Sequence, residues 1–93
     1  MEFKLLLQSK MKDDLNLAFE LAFKKISTLK TKLPQDVMLK FYAYYKQATF
    51  GNHSSSNKGS DVITAFKFNA WIQLNGMSQE TAKKAYIKLA DTI

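Results

Sequence analysis

The sequence predicts an all-α domain of four helices. Apolar residues recur at steps of three and four in four separate segments, which is the period of a helix with one buried face. The 93 residues fit one domain and include only three Gly and one Pro, too few for the many tight turns of a β-sandwich or barrel. Because the chain has no Cys, an apolar core must hold the fold, and 46% hydrophobic residues are enough to form one.

The first helix is predicted from about Asp14 to Lys30. Its buried face is marked by apolar residues at helical spacing: Leu15, Phe19, Ala22, Ile26 and Leu29. Residues 1–12 are assigned as an N-terminal extension to a domain of residues 13–93. The pattern leaves open whether this extension continues the helix or forms a turn ahead of it.

The second helix is predicted from about Pro34 to Thr49, since Pro suits the first turn and Gly51 suits the position just past the end. Apolar side chains lie nearly all round this segment, and only Lys40 and Gln47 mark a polar strip. A helix that meets the core on one face does not need so much apolar surface. Either it packs on two sides, or one side contacts the core and another contacts a ligand.

The third and fourth helices follow a loop at residues 51–60. Asp61 is predicted to cap the third helix, from about Val62 to Asn75, and Ser78 to cap the fourth. The inner face of the third helix is predicted at Ile63, Phe66, Ala70 and Leu74. That of the fourth is predicted at Ala82, Ala85, Tyr86 and Leu89.

The charge balance favours an anionic partner. Fourteen basic residues against eight acidic ones give a net charge of +6, and all fourteen are Lys. Proteins that read nucleic acid sequence depend on Arg for bidentate contacts, so its absence disfavours nucleic acid. A basic helical module that binds nucleic acid or an acidic membrane through its Lys-rich face remains the alternative hypothesis.

Residues for catalysis are scarce. His53 precedes three Ser in the loop, where the rigid geometry of a nucleophile and its base is not expected. No cluster has metal-ligand spacing, and no glycine-rich phosphate loop occurs. We therefore expect no enzyme activity, no metal and no cofactor. The apolar run at residues 5–7 is too short for a signal or a membrane span, so a cytoplasmic protein is expected.

Residues for binding are more plentiful. Tyr42, Tyr45 and Lys46 lie at steps of three and four and share one helix surface. Lys67 lies among apolar neighbours, where its stem either reaches out to water or brings its ammonium to an anion. Tyr86 faces inward and needs a partner for its hydroxyl. These groups suit a ligand with an aromatic ring, phosphates and an apolar tail.

Two motifs in the chain resemble those of the acyl-CoA-binding protein family. The first runs Tyr42-Ala43-Tyr44-Tyr45-Lys46-Gln47-Ala48-Thr49-Phe50-Gly51, and the second is Lys67-Phe68-Asn69-Ala70-Trp71. Shorter matches flank them at Leu29-Lys30-Thr31-Lys32, Asn75-Gly76-Met77-Ser78 and Ala85-Tyr86-Ile87. Together they make a specific signal over about three quarters of the chain.

The resemblance implies an up-down-down-up four-helix bundle that binds long-chain fatty acyl-CoA one to one and acts as an intracellular carrier. It implies a monomer with transient contacts to membranes or to enzymes that use acyl-CoA. By position, Tyr42, Tyr45 and Lys46 would contact the CoA head. Lys67 would meet phosphate, and Tyr86 would contact the head from the last helix. Met38 and Leu39 would lie toward the acyl chain.

The chain departs from the family pattern at the end of the first helix. Many members have a Lys where this sequence has Ser27. Lys24 and Lys30 each lie three residues away, so either long side chain could supply the missing cation. The other interpretation is that both are solvated surface charges and the site has one contact fewer.

Overall fold

Four α-helices make up the computed structural model, which describes residues 2–53 and 62–93, with side chains from residue 13 onward. They are α1 (Glu2–Ser27), α2 (Gln35–Phe50), α3 (Val62–Ile72) and α4 (Gln79–Ala90), and the described residues include no strand. The four-helix prediction is confirmed. The predicted cap at Asp61 and most of the loop at residues 51–60 lie outside the described residues.

The predicted stripe of α1 is confirmed, but the bounds of the helix differ. Phe19 and Ala22 are buried, and the other three stripe residues are half-buried. The helix begins at Glu2, so residues 2–12 continue it. It ends at Ser27, short of the predicted Lys30, and the Thr28 hydroxyl donates to the Lys24 carbonyl at 2.7 Å.

The two ends of α2 and the start of α4 are close to the predicted positions. Pro34 precedes α2 as its N-cap, and Gly51 follows it with φ 77°, a left-handed conformation that Gly adopts readily. The Gly51 N–H donates to the Gln47 carbonyl at 3.0 Å. At α4, the Ser78 hydroxyl accepts from the Thr81 N–H at 3.1 Å, which confirms Ser78 as the N-cap.

The helix α4 packs between α1 and α2, while α3 packs against the other side of α2. In the described part of the chain, the backbones of α1 and α2 do not pack closely, and aromatic side chains bridge the cleft between them. The buried core comes mainly from α1, α2 and α4: Phe19, Ala22, Phe41, Ala48, Ala82, Tyr86 and Ala90.

The predicted inner face of α3 is wrong in part. Ile63 is 58% exposed and Phe66 is 48% exposed, while no residue of α3 is buried. The side of α3 that carries Phe68 and Trp71 faces the end of α2 instead. The segment is apolar on nearly every side, so its sequence pattern does not distinguish the face that meets α2.

Gln47, which the sequence assigns to a polar outer strip, is fully buried. Its Nε2 donates to the Asn52 Oδ1 at 2.9 Å and to the Met77 carbonyl at 2.7 Å. The Gly76 N–H also donates to the Asn52 Oδ1, at 2.8 Å. This network joins the end of α2 to the turn before α4. Its hydrogen bonds replace water at the Gln47 Nε2, whereas the buried Gln47 Oε1 has no hydrogen-bond partner among the described residues.

We predict that Gln47→Ala lowers the free energy of unfolding by about 2–3 kcal/mol. The substitution removes two hydrogen bonds and leaves a buried carbonyl without a donor. Urea denaturation followed by circular dichroism measures the change. Gln73→Ala, at an exposed position after α3, is the matched control and should change stability by less than about 0.5 kcal/mol. Equal effects of the two substitutions would contradict the prediction.

Candidate functional site

The outer face of α2 is the part of that helix which other helices leave uncovered. Its opposite side is buried at Phe41, Ala43, Gln47 and Ala48. The outer face carries Met38, Tyr42 and Thr49, and Met38 is 50% exposed. The interpretation that α2 packs on two sides is confirmed, because it packs on α4 and on α3. Contact of its third side with a ligand stays a prediction.

A groove of about 520 Å³ runs along this face toward α3, and we call it the α2–α3 groove. It is lined by Lys32, Leu33, Gln35, Met38, Leu39, Tyr42, Ile63 and Lys67. Four of the sequence-predicted site residues are among these: Met38, Leu39, Tyr42 and Lys67. The lining combines an apolar floor with two ammonium groups, as a ligand with an apolar tail and an anionic head would require.

Two lysines approach the ring of Tyr42. The Lys67 Nζ lies 5.3 Å from its centroid, and the Lys46 Nζ lies 5.7 Å from it. Lys46 also lies 4.7 Å from the Phe50 ring and 5.7 Å from the Trp71 ring. Cation–π attraction holds both ammonium groups near the aromatic rings. Within the described residues neither one pairs with a carboxylate, so both remain available to an anion.

Tyr45 and Tyr86 belong to a second cluster, on the side of α2 that faces α1. The Tyr45 ring stacks on Phe23 at 4.6 Å and lies near-parallel to Phe19 at 6.1 Å. Tyr86 meets Phe19 edge-on at 5.2 Å and Phe41 at 5.0 Å. The structure thus brings Tyr42, Lys46 and Lys67 together, and brings Tyr45 and Tyr86 together beside α1.

Tyr86 is almost completely enclosed, with 2% of its surface exposed. Burial raises the pKa of its hydroxyl to about 12, and the neighbouring Tyr45 phenol adds to the shift. The hydroxyl therefore stays protonated across the physiological range and can donate a hydrogen bond.

Ser27, Lys24 and Lys30 are all exposed, and none of them lines the α2–α3 groove. The neighbouring Lys25 has a structural contact, because its Nζ donates to the Ala90 carbonyl at 2.8 Å, at the C-terminal end of α4. Compensation for Ser27 by Lys24 or Lys30 stays a prediction.

Sequence reasoning missed two residues that the structure places at the site. Lys32 lines the α2–α3 groove, although in the sequence it stands out only as the last residue of the motif Leu29-Lys30-Thr31-Lys32. Phe23 is 39% exposed and stacks on Tyr45 at an interplanar angle of 21°. Its position four residues after Phe19 was an available signal, since residues at that spacing share a helix surface.

His53 packs against two aromatic rings, while the three Ser that follow it lie outside the described residues. Its ring lies edge-on to Phe68 at 4.2 Å and to Trp71 at 4.4 Å. The backbone N–H of His53 donates to the Asn75 Oδ1 at 3.0 Å, and the Trp71 Nε1 donates to the Gly51 carbonyl at 3.0 Å. These contacts fasten the end of α2 to the end of α3. The described residues contain no group of three or more His, Cys, Asp or Glu side chains that could hold a metal ion.

Comparison with known proteins gives consistent matches over most of the chain. The family described as "Acyl CoA binding protein" matches residues 16–90. The acyl-CoA-binding protein of Saccharomyces cerevisiae is 41% identical over 76 residues, which are 81% of this chain and 87% of that protein. Acyl-CoA-binding protein homolog 1 of Caenorhabditis elegans is 34% identical over 80 residues, 85% of this chain and 93% of that protein.

The fold also matches a solved structure. The crystal structure of Oryza sativa acyl-CoA-binding protein 2 superposes with a TM-score of 0.81 at 29% identity, covering 87% of this chain and 89% of that one. This match confirms the fold that the resemblance implies. In the described part of the chain, no helix combines the length and the apolar character needed to cross a membrane.

The raised pKa of Tyr86 predicts a loss of stability at alkaline pH. Below pH 10 the hydroxyl is protonated in both states, so this group does not make stability depend on pH. Between pH 10.0 and about 12 the unfolded chain releases the proton while the folded protein retains it, so the free energy of unfolding falls. The total loss is on the order of 2 kcal/mol.

Urea denaturation of the wild-type protein and of Tyr86→Phe at pH 8 and pH 11 measures this effect. The two proteins share every other ionisable group, so the difference between their losses of stability isolates the effect of Tyr86. The wild type should lose more stability than the variant between the two pH values. An equal loss in both proteins would refute the assignment.

Proposed function

This chain belongs to the acyl-CoA-binding protein family, and we propose that it binds long-chain fatty acyl-CoA one to one as a carrier and not as an enzyme. The family and the fold support acyl-CoA binding. The stoichiometry, the chain length and the carrier role are our proposal.

The observation that carries the proposal is the position of Tyr42. Its ring lies within 5.7 Å of the ammonium groups of both Lys46 and Lys67 and also lines the α2–α3 groove. A CoA ester carries phosphates and a purine at one end and an apolar acyl chain at the other. The two lysines suit the phosphates, and the groove beside them suits the chain.

The acyl chain supplies most of the binding free energy in this proposal. Burial of one CH₂ group contributes roughly 0.8 kcal/mol, so a chain of about 14–16 carbons contributes on the order of 10 kcal/mol before the costs of ordering. The phosphate contacts add less, but they select CoA esters over other lipids.

The predicted site residues take distinct roles. Lys46 and Lys67 bind phosphate, and Tyr42 contacts the head group between them. Met38 and Leu39 contact the acyl chain from the floor of the groove. We assign Lys32 as a third cation, since it lines the same groove.

Tyr45 and Tyr86 contact the head group from the cleft beside α1, where they lie together with Phe23.

Titration of Lys24→Ala and Lys30→Ala with palmitoyl-CoA, and with its analogue lacking the 3′-phosphate, tests whether either lysine compensates for Ser27. Compensation requires that one substitution narrow the difference in affinity between the two ligands.

We further propose a cytoplasmic monomer that meets membranes and acyl-CoA-using enzymes only transiently. The net charge of +6 supports short-lived electrostatic contacts with anionic surfaces. The absence of an enzyme activity is part of the same proposal, and membership of a family of binding proteins supports it.

Calorimetric titration should give a stoichiometry of one for palmitoyl-CoA and far weaker binding for free CoA. The reason is that CoA retains the phosphate contacts but buries no acyl chain. The alternative, a polycationic module, would bind both ligands alike, with an affinity governed by salt. Equal affinities for CoA and palmitoyl-CoA would therefore rule out the carrier proposal.

Lys46→Ala should weaken the binding of palmitoyl-CoA by about 1.5–3 kcal/mol, the size of a lost charge-assisted hydrogen bond. Its melting temperature should change little, because Lys46 has no carboxylate partner in the described residues. Lys40→Ala, an exposed lysine on the same helix, is the matched control and should leave the affinity nearly unchanged. A large fall in melting temperature with wild-type affinity would make Lys46 a structural residue.

A further inference from the structure

A second cavity adjoins the α2–α3 groove. It has a volume of about 260 Å³ and lies between the end of α1 and the start of α2. Its lining is mainly apolar and consists of Ile26, Leu29, Thr31, Lys32, Leu33, Met38 and Phe41. Three of these residues, Lys32, Leu33 and Met38, also line the α2–α3 groove. The two spaces are therefore neighbours that share one wall.

We propose that this second cavity receives the far end of long acyl chains, and that Leu29 and Met38 set the longest chain that is fully buried. The inference rests on the proposed function and adds to it a determinant of chain length. In it, the chain fills the α2–α3 groove first and then passes Met38 into the second cavity.

The shared wall is suited to such a passage. Met38 is 50% exposed, and its unbranched side chain has several rotatable bonds, so it can move aside at small cost. Beyond it, Ile26, Leu29 and Phe41 present apolar surface. Phe41 is 4% exposed and belongs to the rigid core, whereas Leu29 is only half-buried and lies beyond the end of α1. Leu29 is thus the position where a larger side chain can fill the cavity without disturbing the core.

Binding of acyl-CoA esters from C8 to C20 to the wild-type protein and to Leu29→Trp tests the inference. Each additional buried methylene should raise the affinity about fourfold, which corresponds to about 0.8 kcal/mol. The rise should stop at a shorter chain in Leu29→Trp than in the wild type, while the affinity for C8 and C10 esters stays unchanged. Leu21→Trp, an exposed position on α1 that lines neither space, is the matched control and should keep the wild-type profile.

A second measurement does not depend on the folding of a variant. Wild-type protein bound to stearoyl-CoA labelled with ¹³C at the terminal methyl should show nuclear Overhauser effects from that methyl to Ile26 and Leu29. The same label on octanoyl-CoA should show contacts to Leu39 or Ile63 of the groove instead.

The outcomes separate this inference from the proposed function. Failure of the wild-type protein to bind any acyl-CoA overturns the proposed function. If the wild-type protein binds acyl-CoA normally, two results overturn this inference and leave the proposed function intact. One is a chain-length profile that Leu29→Trp shares with the wild type. The other is a stearoyl methyl that contacts neither Ile26 nor Leu29.

Discussion

The aromatic contacts of Tyr86 join α4 to both α1 and α2, and so set how those two helices lie relative to each other. From α4, its ring meets Phe19 of α1 edge-on at 5.2 Å and Phe41 of α2 at 5.0 Å. Such pairs add stability beyond the area that they bury, and they favour defined ring geometries. Because α4 occupies the space between α1 and α2, those two helices do not close on each other. The cleft between them stays open, and the outer face of α2 remains accessible along its length.

The end of α2 is fixed by a different kind of contact. Gln47 donates to Asn52 and to Met77, while His53 packs against Phe68 and Trp71. The hydrogen bonds of Gln47 Nε2 resist displacement, because the donor would lose its partners on moving away from them. The result is that α3 is held beside α2 although it buries none of its own residues completely. Lys67 of α3 is thereby kept within 5.3 Å of the Tyr42 ring.

The two lysines at Tyr42 show how the site departs from what stability alone would favour. Neither has a carboxylate partner within the described residues, and the net charge of the chain is already +6. Like charges brought close together disfavour the compact state, and an anionic ligand would relieve this repulsion. The aromatic rings around Lys46 attract its ammonium group and so lower the free-energy cost of the repulsion. They do not neutralise the charge, so the ammonium group keeps its affinity for phosphate. Exposed apolar residues along the groove are a second departure of the same kind, since they too are stabilised only when a ligand covers them.

The sequence by itself determined the four helices, the cap at Ser78 and the buried stripe of α1, because period and capping are local properties of consecutive residues. The motifs also identified Tyr42, Lys46 and Lys67 as a set, although 21 residues separate Lys46 from Lys67. Only the tertiary structure decided that Gln47 is buried and that Ile63 faces a groove. It also decided that Tyr42 lines this groove while Tyr45 stacks on Phe23 of α1. It also added Lys32 and Phe23 to the site. A helical period shows which residues share a face, but it does not show which neighbour covers that face. That depends on how α3 and α4 pack, and those contacts join residues far apart in the chain.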